Sequence, residues 1–126
     1  MKKIITTKDA PAPIGPYSQA VEANGFLFVS GQIGLDPASG NMDQKSIEEE
    51  TKQVLENIRA ILTAAGLDFT DVVKSTIYLT DLNNFSEVNK VYGSYFESKY
   101  PARETVQVDR LPKDARVEIS VIAKLR

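Results

Sequence analysis

The chain predicts an α+β domain with two helices on one face of a mixed sheet, in the order β-β-β-α-β-α-β-β. Three observations predict it. Asn24-Gly25 joins two strand-like runs, two long stretches carry apolar residues at helical spacing, and the C-terminal third alternates polar and apolar residues around a turn containing Pro112. At 126 residues the chain fits one domain, 1–126, able to bury roughly two thirds of its unfolded surface.

Lys3 to Thr6 reads as a short first strand. Ala10 to Gln19 then holds three prolines and a glycine in ten residues. Proline fixes φ and blocks both helix and central strand, so this stretch is an ordered, extended loop. Its aromatic, Tyr17, is either a positioned hydrogen-bonding phenol or a plug over the core. Ala20 to Ser30 reads as a hairpin turning at Asn24-Gly25. Its second strand has Phe26, Phe28 and Ser30 on one face and Leu27 and Val29 on the other, so neither face is expected to see much water. Gly31 follows directly, where a missing side chain permits close approach by another group. Leu35 to Asn41 is a turn-rich connection.

Ser46 and Glu49 form a capping-box pattern opening a helix, with Ile47, Val54, Leu55, Ile58, Ile61 and Leu62 at helical spacing and Gly66 ending it. Glu48, Glu49 and Glu50 suit the positive end of the helix dipole and read as a solvated face rather than a metal site. Asp71 to Thr80 is β-branched and aromatic, hence a strand. Asn84, with Glu87 three residues on, caps a second helix predicted to run to Tyr100, with Phe85, Val88, Tyr92 and Phe96 as its buried stripe. Asn89 falls near that stripe, where an amide needs partners; these are either local or supplied by a ligand or subunit. Gly93 costs that helix about 1 kcal/mol relative to alanine, which close packing would explain.

The C-terminal runs, Arg103 to Val108 and Val117 to Val121, alternate with a period of two. If the valines and isoleucines of both face the core, Arg103, Thr105 and Gln107 share the opposite surface with Glu118 and Ser120. A guanidinium is suited to clamping a small carboxylate through two parallel hydrogen bonds, and a nearby glutamate can act on water. The alternative is an exposed cross-strand ion pair of little energetic consequence. That second sheet surface is too mixed to stay bare, which points to an oligomer.

Composition removes several function classes. The chain has no cysteine and no histidine, which excludes disulfides and thiol chemistry and leaves no conventional zinc ligand set. Acid–base work must rest on Glu, Asp, Lys, Tyr or water. The net charge of −2 advertises no nucleic-acid partner, and Arg110, Lys113 and Arg116 read as a solvated turn. No run approaches membrane-spanning length and the N-terminus is too poor in apolar residues for a signal peptide, so the expected compartment is the cytoplasm.

The chain resembles the RidA/YjgF family. Pro101-Ala102-Arg103, Val106-x-Val108-x-x-Leu111-Pro112 and Ala115-x-Val117-Glu118-Ile119 look like its C-terminal signature. Ile14 to Ala20, Phe28 to Ile33, Asn57-Ile58 and Phe85-x-x-Val88-Asn89-x-x-Tyr92 sit where that family has like segments, so the likeness runs nearly end to end. It implies a chorismate-mutase-like fold in a homotrimeric barrel, with sites at subunit interfaces. It also implies cofactor-free and metal-free hydrolysis of reactive enamine and imine intermediates, such as 2-aminoacrylate and 2-aminocrotonate, to 2-keto acids and ammonia. On this resemblance Arg103 binds the substrate carboxylate, Glu118 works on water, and Tyr17, Ser30, Gly31, Asn89 and Thr105 line the pocket.

Two positions depart from the family pattern. Many members have cysteine where this chain has Thr105, and Glu104 stands where Ser, Ala or Cys is usual. Alternation turns Glu104 away from Arg103, whereas an irregular strand would let it compete for the guanidinium. Rival functions are a non-catalytic binder of small keto or amino acids, an endoribonuclease or translation inhibitor, and a chaperone-like holding role.

Overall fold

The computed structural model describes every residue from Met1 to Arg126. Strands β1 (Lys3–Ile5), β2 (Ala20–Ala23) and β3 (Phe26–Gln32) precede helix α1 (Ile47–Ala64). Strand β4 (Val72–Leu79), helix α2 (Phe85–Gly93), β5 (Ala102–Gln107) and β6 (Val117–Lys124) complete the predicted order. The six strands form one sheet in the order β1-β2-β3-β6-β4-β5. Both β3 and β4 run antiparallel to β6, while β4 and β5 are parallel. Helices α1 and α2 are therefore the crossovers between parallel strands, and the common hand of such crossovers lays both on one face.

Local chemistry accounts for the element ends. Asn24 and Gly25 both take positive φ, 50° and 83°, as a two-residue hairpin turn matched to strand twist requires. Ser46 accepts a hydrogen bond from the Glu49 N–H, and Gly66, at φ 75°, ends the first helix as predicted. The second helix differs at both ends. Asn84 makes no side-chain cap; Asp81 instead accepts from the Asn83 N–H and caps a short 3-10 turn ahead of α2. Beyond Gly93 the chain tightens into three-residue steps, Tyr95 N–H to Tyr92 and Phe96 N–H to Gly93, so the helix stops well short of Tyr100.

The core lies between the helices and one sheet face, with Leu27, Leu55, Ile58, Ile77, Leu79 and Ile119 among its sealed side chains. The opposite face is open. Across it runs a row of Ile4, Val21, Phe28 and Ile122, aligned by strand register. Phe28, expected out of water, is 42% exposed because nothing in this chain covers that row. No helix is long and apolar enough to cross a membrane.

The acidic start of α1 is only partly a solvated face. Glu50 is fully buried and accepts from both the Arg116 N–H and Nε, each at 2.7 Å. Its spacing of three from Ile47 turns it inward, where it ties α1 to the residue before β6. Removing one member of such a pair strands the other. Glu50→Ala is expected to cost about 3 kcal/mol, seen as a lower urea midpoint at unchanged slope. A loss under about 1 kcal/mol would show that the pair contributes little.

Candidate active site

The predicted residues fall into two groups on opposite sides of the sheet. Register places Arg103 beside Ser75 and Thr105 beside Ile77, and Ser75 and Ile77 are fully buried under the helices. Arg103 and Thr105 therefore face α2. Glu118 pairs with Tyr78, and Val106 with the same tyrosine from the other side, on the open face. The expectation that Arg103 and Glu118 share one surface is thus corrected. So is the placement of Val106, which is exposed, and of Val108, which lies past the end of β5 and only half-buried. At the sheet edge, Arg103 and Thr105 of β5 point inward while Glu104 and Val106 point outward.

On the helix side, Asn89 Oδ1 accepts from Arg103 Nη1 at 2.7 Å. The guanidinium carbon stands 5.1 Å from the Tyr92 ring centre and 5.7 Å from that of Phe85. No carboxylate of the chain pairs with it; the ion pairs involve Arg59, Lys74, Arg110, Arg116 and Arg126. Arg103 borders a groove of about 510 Å³ that it shares with Asn89, Tyr92, Gly93, Tyr100 and Pro101. A Cβ at Gly93 would meet nothing within 4 Å, so close packing is not the reason for that glycine. Thr105 Oγ1 is buried there without a hydrogen-bond partner.

On the open side, a bulge shapes the second group. Val29 pairs with Val121 and Gln32 with Ile119, so Ser30 and Gly31 together oppose Ser120. The bulge turns Gly31 toward Glu118. A Cβ on Gly31 would lie 2.8 Å from Cδ of Glu118 and closer still to Oε2, so only glycine leaves the carboxylate its place. Burial raises the Glu118 pKa above the usual carboxylate range. Ser30 donates its hydroxyl proton to the Ser18 carbonyl at 2.6 Å, which makes it a brace for the proline-rich loop. Tyr17 is half exposed and lines a small cavity with Ile14, Gly31 and Lys113; its oxygen accepts from the Ile14 N–H at 3.4 Å.

Glu104 lies on the far face from Arg103. It accepts from Thr76 Oγ1 at 2.5 Å and pairs with Lys74 at 3.2 Å, contacts that hold its pKa down, the threonine bond foremost. It does not compete for the clamp.

Several supporting residues lay in family-like segments without their role being legible in the sequence. Gln19 is buried, accepts from the Thr7 N–H and donates to the carbonyls of Thr7, Ala10 and Pro11, stapling the loop before Tyr17. Asn57 donates to the Ile33 and Leu35 carbonyls and fixes the segment after Gly31. In the sequence, Asn57 stood out as part of the Asn57-Ile58 pair of the family resemblance and as an amide inside an apolar helical pattern, but neither gave its role.

The fold thus presents an arginine without a carboxylate partner on one side of the sheet and a half-buried carboxylate, Glu118, on the other. The family model described as Endoribonuclease L-PSP matches residues 7–125, and the chain belongs to that family, the RidA/YjgF family. It is 56% identical to the 2-iminobutanoate/2-iminopropanoate deaminase of Bos taurus over 98% of this chain and 90% of that protein. It is 54% identical to a RutC family protein of Pyrococcus horikoshii over 98% of both chains. Among solved structures it matches E. coli TdcF with bound serine at TM-score 0.94 and 43% identity, covering 98% of this chain and 99% of that one.

Proposed function

We propose that this protein hydrolyses the imines of small 2-keto acids, formed from 2-aminoacrylate and 2-aminocrotonate, in sites completed between neighbouring copies of a homotrimer. The observation that carries the reading is Arg103: a half-buried cation held only by neutral groups, open to a groove, with no carboxylate of its own. Such a group is ready for the carboxylate of a ligand. The deaminase relatives, and TdcF with its bound amino acid, support the same ligand class.

With Arg103 and Glu118 on opposite faces, the clamp of one copy meets the carboxylate of the next. The apolar row on the open face gives that neighbour a surface to cover. Arg103 takes the substrate carboxylate in two hydrogen bonds and fixes C2. Glu118 draws a proton from a water as the oxygen bonds to the carbon of the protonated imine, giving a neutral carbinolamine. That proton is returned to nitrogen, and as the C–N bond breaks the carbinolamine hydroxyl gives up its own proton and becomes the keto oxygen, so that ammonium and the 2-keto acid leave. Asn89 and Thr105 serve the clamp side, and Tyr17, Ser30 and Gly31 the side of the attacking water. No cofactor or metal enters the balance.

The endoribonuclease reading gains nothing from the geometry. Arg110 is tied to Asp114 and Arg116 to Glu50, so of the small basic cluster only Lys113 stays unpaired. The test couples a threonine dehydratase to this protein with semicarbazide as trap. Keto-acid release is expected to outrun trapping when the protein is present. Unchanged partitioning with a correctly assembled protein would overturn the reading and leave a non-catalytic ligand binder.

A further inference from the structure

We propose that Tyr92, pinned by Ser75, is a positioning residue that sets the plane of the Arg103 guanidinium; this deepens the deaminase reading and rests on it. A free arginine side chain carries about 2 kcal/mol of rotamer entropy, which a working clamp must shed before substrate arrives. The single bond to Asn89 fixes one nitrogen and leaves the group free to swing about it. Two ring contacts restrict the swing, Tyr92 at 5.1 Å and Phe85 at 5.7 Å. Of these, Phe85 is 38% exposed at the helix edge, whereas Tyr92 is 4% exposed and held from below.

What holds Tyr92 is its hydroxyl, which donates to Ser75 Oγ at 2.9 Å in the buried layer between α2 and the sheet. Core filling alone would be served by phenylalanine, without a polar pair to satisfy. Ser75 is also the residue in register with Arg103 on the neighbouring strand, and it is fully buried. One pair of strands therefore sets both the root of the arginine and the foot of the tyrosine beside it. The small serine leaves the depth the phenol needs. Burial keeps the phenol protonated, so the platform adds no negative charge that would compete with a ligand carboxylate.

The experiment follows the Arg103 Nε–Hε resonance by NMR in the assembled, ligand-free protein, alongside imine-hydrolysis kinetics. In Tyr92→Leu the ring-current displacement of that resonance is expected to collapse and KM to rise about tenfold. In Tyr92→Phe, which keeps the ring and the packing, Hε is expected to exchange faster with water. KM should then rise about fivefold with kcat within about twofold. Adding Ser75→Ala to Tyr92→Phe should change neither value further, because the two hydroxyls act as one unit. An unshifted Arg103 resonance in both folded tyrosine variants overturns the proposal, as does a loss of kcat at constant KM with that resonance unmoved. The resonance is read without substrate, so it decides the positioning role even if the wild-type chain hydrolyses no imine.

Discussion

Arg103→Ala is expected to lower kcat/KM for imine hydrolysis by about a thousandfold, on the order of the loss when the group that orients a substrate is removed. The side chain donates to Asn89 and meets no carboxylate, so its removal strands no internal charge and the fold should survive. Arg103→Lys restores the charge without the planar fork and should recover only a small part of the rate. Near-normal turnover by a folded, assembled Arg103→Ala protein would sink the clamp.

Glu118→Gln is the second large effect. Loss of the base is expected to reduce kcat by about a thousandfold, within the range for acid–base assistance. In the wild type, activity should fall on the acid side at a pH above the usual carboxylate range, since burial raises this pKa and only the ionised form takes a proton from water. Stability moves the other way. A carboxyl whose folded pKa is raised stabilises the fold relative to neutral pH only while protonated. Its penalty is absent below the unfolded value of about 4.3 and full above the raised folded one. Glu118→Gln should therefore raise the unfolding midpoint at neutral pH and leave it unchanged in acid. A variant that keeps its rate, or loses stability at neutral pH, contradicts this role.

The two variants together test where the site is built. Because the two groups occupy opposite faces, the proposed homotrimer, when it mixes Arg103→Ala with Glu118→Gln chains, is expected to contain some interfaces with both wild-type groups. An equimolar mixture, unfolded and reassembled, should regain about a quarter of wild-type activity in a cyclic trimer. No recovery from reassembled trimers would place both groups in a single-chain site, against the register of β5.

Element order was legible because its signals are local. Asn24-Gly25 demands positive φ, Ser46 and Gly66 bracket one helix, and the alternation in Val117 to Val121 matches its buried and open faces. Strand β5 misled for a physical reason. A half-buried strand normally sends its valines inward, but this one lies at the sheet edge under a short helix, with its inner face given to Arg103 and Thr105. Parity along one strand does not say which face meets the helices; the neighbour Ser75 does, and that pairing is non-local. Glu50 misled similarly, since an acidic residue in a first helical turn looks solvated until its partner Arg116, distant in sequence, is in place. The platform of Tyr92 was half legible: its place on the apolar stripe was plain, its contact with Arg103 was not.

The bulge at Ser30 and Gly31 has a consequence for how the sequence can drift. Any side chain at position 31 meets the Glu118 carboxyl end, so a change there pushes that carboxylate from its place unless position 118 has already shortened. Shortening 118 first withdraws the carboxylate from the position proposed for it beside the attacking water. Each single step is therefore disfavoured before the other, and the two positions are locked together by epistasis although they lie 87 residues apart in the chain.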